Sequence, residues 1–461
     1  MQRLTELPLV AAGRQLQELA VIGGDRFWTW GEVHAASIAL AARLDAGATV
    51  CNLSGSRAGF FVAWLAALRR GCVQLLPPSG GHADLVAILK AAANAVIVVD
   101  DAKLLQPHWA EHARCLVHVP EKSSAVVSDA SLAWIPSWDA PLIRLYTSGS
   151  TGTPEPQIKT LGHLVRGAQA LRARLDEEVQ GGVAALRRIV SSVPPQHMFG
   201  LETSVMLPLV AGIPVLEGRP LLPGDVRAAF EQGAEDAAWI ATPLHLRALA
   251  QAGDVLPRCR LVLASTMPLA PALAAQTEAL TAAPTMEIYG STETGVVAMR
   301  RTARDTQWRP VDGVRIESTE AGTRAWGAHF PSPQLLADDV EIDAHRRFVL
   351  LGRQGDLVKI AGRRASLAGL NLLLQDLPGL ADGVFYLPAT GAPTERLVLI
   401  HAGATLDRAA ALAWLRERMD PVFLPRTFIH VDRLPRADTG KLPRAALDQL
   451  YAQRLSDGPR S

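Results

Sequence analysis

Cysteine is scarce in this chain: Cys51, Cys72, Cys115 and Cys259 are the only four among 461 residues. They are scattered, form no CxxC pair and have no histidine pairs nearby at metal-ligand spacing. That pattern excludes a disulfide framework and a cysteine metal site, and leaves idle thiols of a reducing compartment. A surplus of one charge is also missing. With 46 Lys+Arg against 45 Asp+Glu the formal charge is +1, so no overall basic field points to nucleic acid or an anionic membrane surface. Long hydrophobic runs are absent too. The longest, residues 59–68 (GFFVAWLAAL), is too short to span a bilayer. The opening MQRLTELPLVAAGRQ lacks the basic start and apolar run of a signal peptide, and cytoplasmic localisation is the expectation. One local asymmetry stands out. From Arg353 onward there are 15 Lys+Arg and 11 Asp+Glu, a surplus suited to docking an acidic partner.

What is present is ample material for a core. Hydrophobic residues make up 49% and charged residues 20%, and the length fits two or three domains. Between about residues 45 and 300 short runs such as NAVIVVD, RIVSSVP, AAWIATP, RLVLAS and MEIYG are apolar on both faces. They are bounded by Gly, Pro or charge, as buried strands are. Segments of helical spacing, such as HLRALAQAG and APALAAQTEAL, lie between them. This alternation predicts an α/β fold of mainly parallel, helix-covered sheets, with ligands at the C-terminal ends of the strands. After Arg353 the pattern changes to a small α+β unit with strands at LVKIAG, GVFYLP, RLVLIHAG and TFIHVDRL and a helix over 406–419. A boundary near Gly355 divides the chain into a large domain, 1–354, and a small one, 355–461.

Four motifs carry chemistry. Leu145 to Pro154 (LYTSGSTGTP) is a strand end followed by a Gly/Ser/Thr loop. Its glycines and hydroxyls suit a polyphosphate, although no GK[ST] follows and it is not a Walker loop. Ile288 to Gly295 (IYGSTETG) also follows a strand. Glu293 offers a hard oxygen ligand for Mg²⁺, Thr292 a phosphate donor and Tyr289 a flat face for a base. The third is Leu351 to Gly362 (LGRQGDLVKIAG), and the fourth Leu434 to Arg444 (LPRADTGKLPR), in which Lys441 stands on a constrained Gly-Lys-Leu-Pro turn. Singly, each is as well explained by a polar turn or a surface lysine.

Together and in this order the motifs resemble the adenylate-forming superfamily of acyl-CoA synthetases, firefly luciferase and peptide-synthetase adenylation domains. The resemblance runs from about residue 20 to 450. Within it, VPPQHMFGLE (193–202), TPLHLR (242–247) and IAGRRASL (360–367) are similar to the short ligases of aryl-polyene and xanthomonadin-type pigment clusters. Those load an aromatic acid onto an acyl carrier protein. The resemblance implies ATP and Mg²⁺ as cofactors and a small carboxylic acid as substrate. It implies an acyl carrier protein or CoA as acceptor, with no role in nucleic-acid binding.

It also implies roles. Thr147, Ser148, Gly149, Ser150, Thr151 and Gly152 would grip the ATP phosphates with Thr292 and Lys159, and Glu293 would hold Mg²⁺. Ser265, Thr266 and Tyr289 would sandwich adenine, while Asp338 and Arg353 take the ribose, with Asp339 as the alternative to Asp338. His197, Phe199, Gly200 and Gly290 would line the acyl pocket. Lys441, Glu293 and His197 would be catalytic, with Gly355 as the hinge of a mobile C-terminal domain and Gly362 beside the pantetheine channel.

Relatives carry Pro-Lys after the phosphate loop, whereas this chain has Pro154-Glu155-Pro156. A carboxylate there would repel a triphosphate, so Lys159 is expected to replace the missing charge. Alternatives are free CoA as acceptor, a medium-chain acid as substrate, or a non-catalytic acyl- or nucleotide-binding relative.

Overall fold

In the computed structural model the described residues are 17–23, 26–77, 82–92, 94–121, 137–147, 155–232, 236–320, 322–353, 357–360, 363–388, 396–403, 406–436 and 442–456. Two large sheets dominate. In the first, Val215–Leu216, Arg188–Ser191, Ala237–Ala241, Cys259–Ala264 and Thr285–Ser291 follow one another in parallel. The hairpin Leu19–Gly23/Arg26–Thr29 closes one edge, with Val21 opposite Val215. Antiparallel Gly295–Arg301 and Arg309–Pro310 close the other.

The second sheet sets Arg114–Val117, Ala95–Val99, Thr49–Asn52, Val73–Leu76 and Ile143–Thr147 in parallel, with antiparallel Glu155–Lys159 at its edge. Their strands are continuous apolar runs because helices cover both faces. Ala237–Ala241 and Ala95–Val99 are buried at every position. The helices Arg57–Arg69 and Leu161–Glu178 sit in the core that both sheets share, and Trp64, Phe60 and Phe61 fill it. Side chains of that size bury about 150–250 Å² each and dominate such a core.

The C-terminal region is an α+β unit with its own core. Asp382–Tyr386 pairs antiparallel with Val398–Ala402, which runs parallel to Thr427–Val431. The helices Leu367–Gln375, Arg408–Arg416 and Arg444–Ser456 accompany this sheet. The unit touches the larger one beside the end of Cys259–Ala264. Gln375 Nε2 donates to the Pro268 carbonyl at 3.2 Å, and Arg436, paired with Asp382, approaches Met267 Sδ at 3.7 Å. Among the described residues no helix is long and apolar enough to cross a membrane.

Candidate active site

Parallel strands deliver their C-terminal ends to one side of a sheet, and there the motifs converge. Arg188–Ser191 ends ahead of Pro194-Pro195-Gln196-His197, Cys259–Ala264 ahead of Ser265-Thr266, and Thr285–Ser291 in the turn carrying Thr292 and Glu293. Between these ends lies a cavity of about 110 Å³. Gln196, His197 and Phe199 form part of its wall, as do Ser265, Thr266, Gly290 and Thr292. Met198, Ile288 and Val296 give it an apolar side.

The Ser291–Gly295 turn is tied internally. Ser291 N–H donates to Thr294 Oγ1 at 3.0 Å, and Thr294 Oγ1 donates to the Gly295 carbonyl at 2.8 Å. Glu293 is half-buried on this turn. Among the described residues no group of three or more His, Cys, Asp or Glu gathers to hold a metal. A Mg²⁺ ion held by Glu293 would therefore complete its shell with nucleotide phosphates and water, which is this ion's usual coordination.

Tyr289 and Asp338 meet: the phenol donates to Asp338 Oδ2 at 2.9 Å. Tyr289 packs against Trp308 and Phe348 at centroid distances of 5.5 and 5.9 Å. Asp338 is directly opposite Arg353 across the hairpin, whereas Asp339 is opposite Gly352. Ser265 Oγ donates to the Ile288 carbonyl at 2.9 Å. Thr266 has φ +82°, a backbone state that a non-glycine residue adopts only where its surroundings impose it.

Ser148, Gly149, Ser150, Thr151, Gly152, Gly355, Gly362 and Lys441 lie outside the described residues, as do the side chains of Thr147 and Arg353. Thr147 ends the strand Ile143–Thr147, with exposed Glu155 opposite it. Lys159 is 1% exposed, and its ammonium donates to the Glu293 carbonyl at 2.8 Å. The side chain expected to supply phosphate charge is thus buried beneath the Glu293 turn. Gly200, expected at the acyl wall, sits behind it: a Cβ there would be 1.9 Å from the Pro194 carbonyl oxygen. Gly200→Ala should push the Pro194–His197 segment aside and cost about 1–3 kcal/mol, the range of core overpacking. Denaturant unfolding measures this, and an unchanged midpoint would count against the close fit.

Two buried charged residues of the site carry no role that the motifs imply. Arg57, at the start of Arg57–Arg69, is buried and donates to Ser204 Oγ at 3.0 Å and the Val193 carbonyl at 2.9 Å. Burial lowers its pKa to about 10, and the guanidinium pins the segment behind His197. Glu202 is 5% exposed, lines the cavity and accepts from Val296 N–H at 3.2 Å. Burial raises its pKa while the Lys159 charge lowers it. Lys159 is shifted down by burial and drawn back up by Glu202 and Glu293. His329 Nε2 donates to the Val296 carbonyl at 2.7 Å, so both polar groups of that residue are fixed. Glu202 closes the stretch VPPQHMFGLE (193–202), but no role of its own is readable there.

Residues 10–322 match the family described as AMP-binding enzyme. The chain is 26% identical over 303 residues to 4-coumarate–CoA ligase of Cereibacter sphaeroides, spanning 64% of this chain and 69% of that protein. Two solved structures share the fold. O-succinylbenzoate coenzyme A synthetase from Bacillus subtilis, in complex with ATP and magnesium ion, has a TM-score of 0.77 at 18% identity, covering 93% of this chain and 96% of that one. An anthranilate CoA ligase in complex with anthranoyl-AMP has a TM-score of 0.78 at 16% identity, covering 95% and 96%.

Proposed function

This chain belongs to the AMP-binding enzyme family and is an AMP-forming acid–thiol ligase, and from that premise we propose that it activates an aromatic acid of the hydroxybenzoate or cinnamate type for an acyl carrier protein. The observation that carries the substrate class is the cavity at the strand ends. Its volume of about 110 Å³ is on the scale of the ~150 Å³ apolar cavity that accommodates one benzene ring. A ring enters against Met198, Phe199 and Ile288 with its carboxylate toward Thr292 and His197.

The first half-reaction joins a carboxylate oxygen to the α-phosphorus of ATP. The bond from that phosphorus to the bridging oxygen breaks, and pyrophosphate leaves with the electron pair. The thiol sulfur then attacks the acyl carbon, AMP departs as the leaving group, and the thiol proton passes to solvent. Like charges must be brought together in the first step, and Mg²⁺ held by Glu293, when bound, offsets them. In this scheme the Thr147–Gly152 loop cradles the phosphates. Asp338, fixed by the Tyr289 hydroxyl, takes the ribose together with Arg353. Ser265 and Thr266 stand beside the base. The unit boundary near 355, the hinge at Gly355 and the pantetheine path past Gly362 belong to the same proposal.

The carrier-protein acceptor is supported by the C-terminal surplus of basic residues and by the pigment-ligase motifs. Free CoA is the second reading, favoured by the acceptor named for the coumarate ligase. Acid-dependent ATP–pyrophosphate exchange tests the substrate class. Benzoates or cinnamates should exceed octanoate and decanoate at least about tenfold in kcat/KM, since an acyl chain of that length outgrows a single-ring cavity. A preference for the fatty acids would overturn the aromatic assignment. Adding holo carrier protein or CoA to the activated enzyme then decides the acceptor.

A further inference from the structure

Glu202 is a buried carboxylate on the wall of the cavity. It opens the π-helical turn Glu202–Met206, which follows the short helix Met198–Leu201. Single turns of this kind, inserted in a helical path, recur at functional sites. The side chain is held by close packing as well as by Val296 N–H. A Cβ at Gly167 would stand 2.9 Å from Glu202 Oε1, and one at Gly295 would stand 2.5 Å from it. At both positions the carboxyl group fills the space a side chain would need, and at Gly295 a φ of +73° favours glycine as well.

An ionised carboxylate has about four acceptor sites. Among the described residues its one hydrogen bond is from Val296 N–H to Oε1. Lys159 offsets its charge, but the Lys159 ammonium is hydrogen-bonded to the Glu293 carbonyl. Buried acceptors are paired, and one on a cavity wall can take its donor from the ligand that fills the cavity. The balance of charge narrows that donor. An ammonium would add a second cation beside Lys159, whereas a neutral hydroxyl donates without upsetting the pair, in a short charge-assisted bond.

We propose that Glu202 is a specificity-determining residue whose carboxylate accepts a hydrogen bond from a ring hydroxyl, making the substrate a hydroxylated aromatic acid. The proposal rests on the aromatic-acid reading above and names the side chain that distinguishes one aromatic acid from another.

Pyrophosphate exchange with benzoate, 3-hydroxybenzoate and 4-hydroxybenzoate tests it. The unaltered chain should favour at least one hydroxybenzoate over benzoate by about 10² or more in kcat/KM, because a site built around a substrate hydroxyl rejects the analogue that lacks it. Glu202→Gln should reduce that ratio at least about tenfold, chiefly through KM. Should this variant fail to fold, the paired Lys159→Met/Glu202→Gln variant, which removes both charges, carries the same comparison. Calorimetric binding of the two acids to the unaltered chain does so without any substitution. Equal handling of benzoate and hydroxybenzoate by the unaltered chain, or an unchanged ratio in the variant, overturns the role of Glu202 and leaves the aromatic reading standing. Exchange with none of the aromatic acids overturns the aromatic reading, and the proposal with it.

Discussion

At pH 8 the Lys159→Met variant is expected to lose about 3 kcal/mol of stability, and at pH 5.5 about 1 kcal/mol or less. Lys159 is one of the largest fully buried side chains in the molecule, and methionine replaces its stem closely in length and volume. What disappears is the charge opposite Glu202 and the hydrogen bond to the Glu293 carbonyl. Removing one partner of a buried charge pair leaves the other uncompensated, which typically costs about 3–5 kcal/mol.

The pH dependence follows from Glu202, whose pKa burial raises to about 7. Between the ordinary carboxylate range and that value, the folded chain holds a proton that the unfolded chain releases. Stability therefore falls as pH rises through that window and levels off above it. Without Lys159 only the Val296 N–H still draws the pKa of Glu202 down, so the window extends upward and the deficit grows toward pH 8. The neighbouring His329, lowered to about 4 mainly by burial, is neutral throughout and adds no compensating charge. Urea unfolding at the two pH values measures the effect. An equal deficit at both would show that the ammonium does not serve Glu202.

The other large effect is expected in rate. Lys441→Ala should slow ATP–pyrophosphate exchange by about 10²–10³, the scale of one lost electrostatic contact in a transition state. Thiol transfer from supplied acyl-adenylate should change by only a few-fold, because no phosphorus is attacked in that step. Lys441 follows Arg436 by five residues, and Arg436 reaches Met267, next to Ser265-Thr266. The chain ahead of the lysine is thus tethered beside the strand ends where the motifs converge. Exchange near the unaltered rate, or equal loss in both half-reactions, would remove Lys441 from the adenylation step.

The strands were legible where burial leaves its mark on composition. AAWIA and AVIVV are apolar throughout because helices cover both faces of a parallel sheet, and they form Ala237–Ala241 and Ala95–Val99. Val398–Ala402 was visible for the same reason, Thr427–Val431 from its β-branched and aromatic run, and the helix Arg408–Arg416 from its apolar spacing. The meeting of Tyr289 with Asp338 was implied by family order alone, since 49 residues separate them.

Depth and long-range partnership were not legible. Alternation places Glu155 and Lys159 on the same side of a strand, but one is exposed and the other buried, because only the far end of the strand runs beneath the Glu293 turn. Glu202 accepts from the N–H of Val296, 94 residues later, and no local pattern records such a bond. Arg57 bonds Ser204 and Val193, 147 and 136 residues away, and nothing local marks that partnership.

The parallel pairing of Val21 with Val215 has a consequence for how the molecule is made. A ribosome adds about 5–20 residues per second, so the strand Leu19–Gly23 emerges on the order of tens of seconds before its neighbour exists. During that interval its hairpin with Arg26–Thr29 covers one edge, and the other edge is open to any extended chain nearby. Yield in the cell should therefore depend on translation speed across the first half of the message, and on whatever shields that edge until residue 215 arrives.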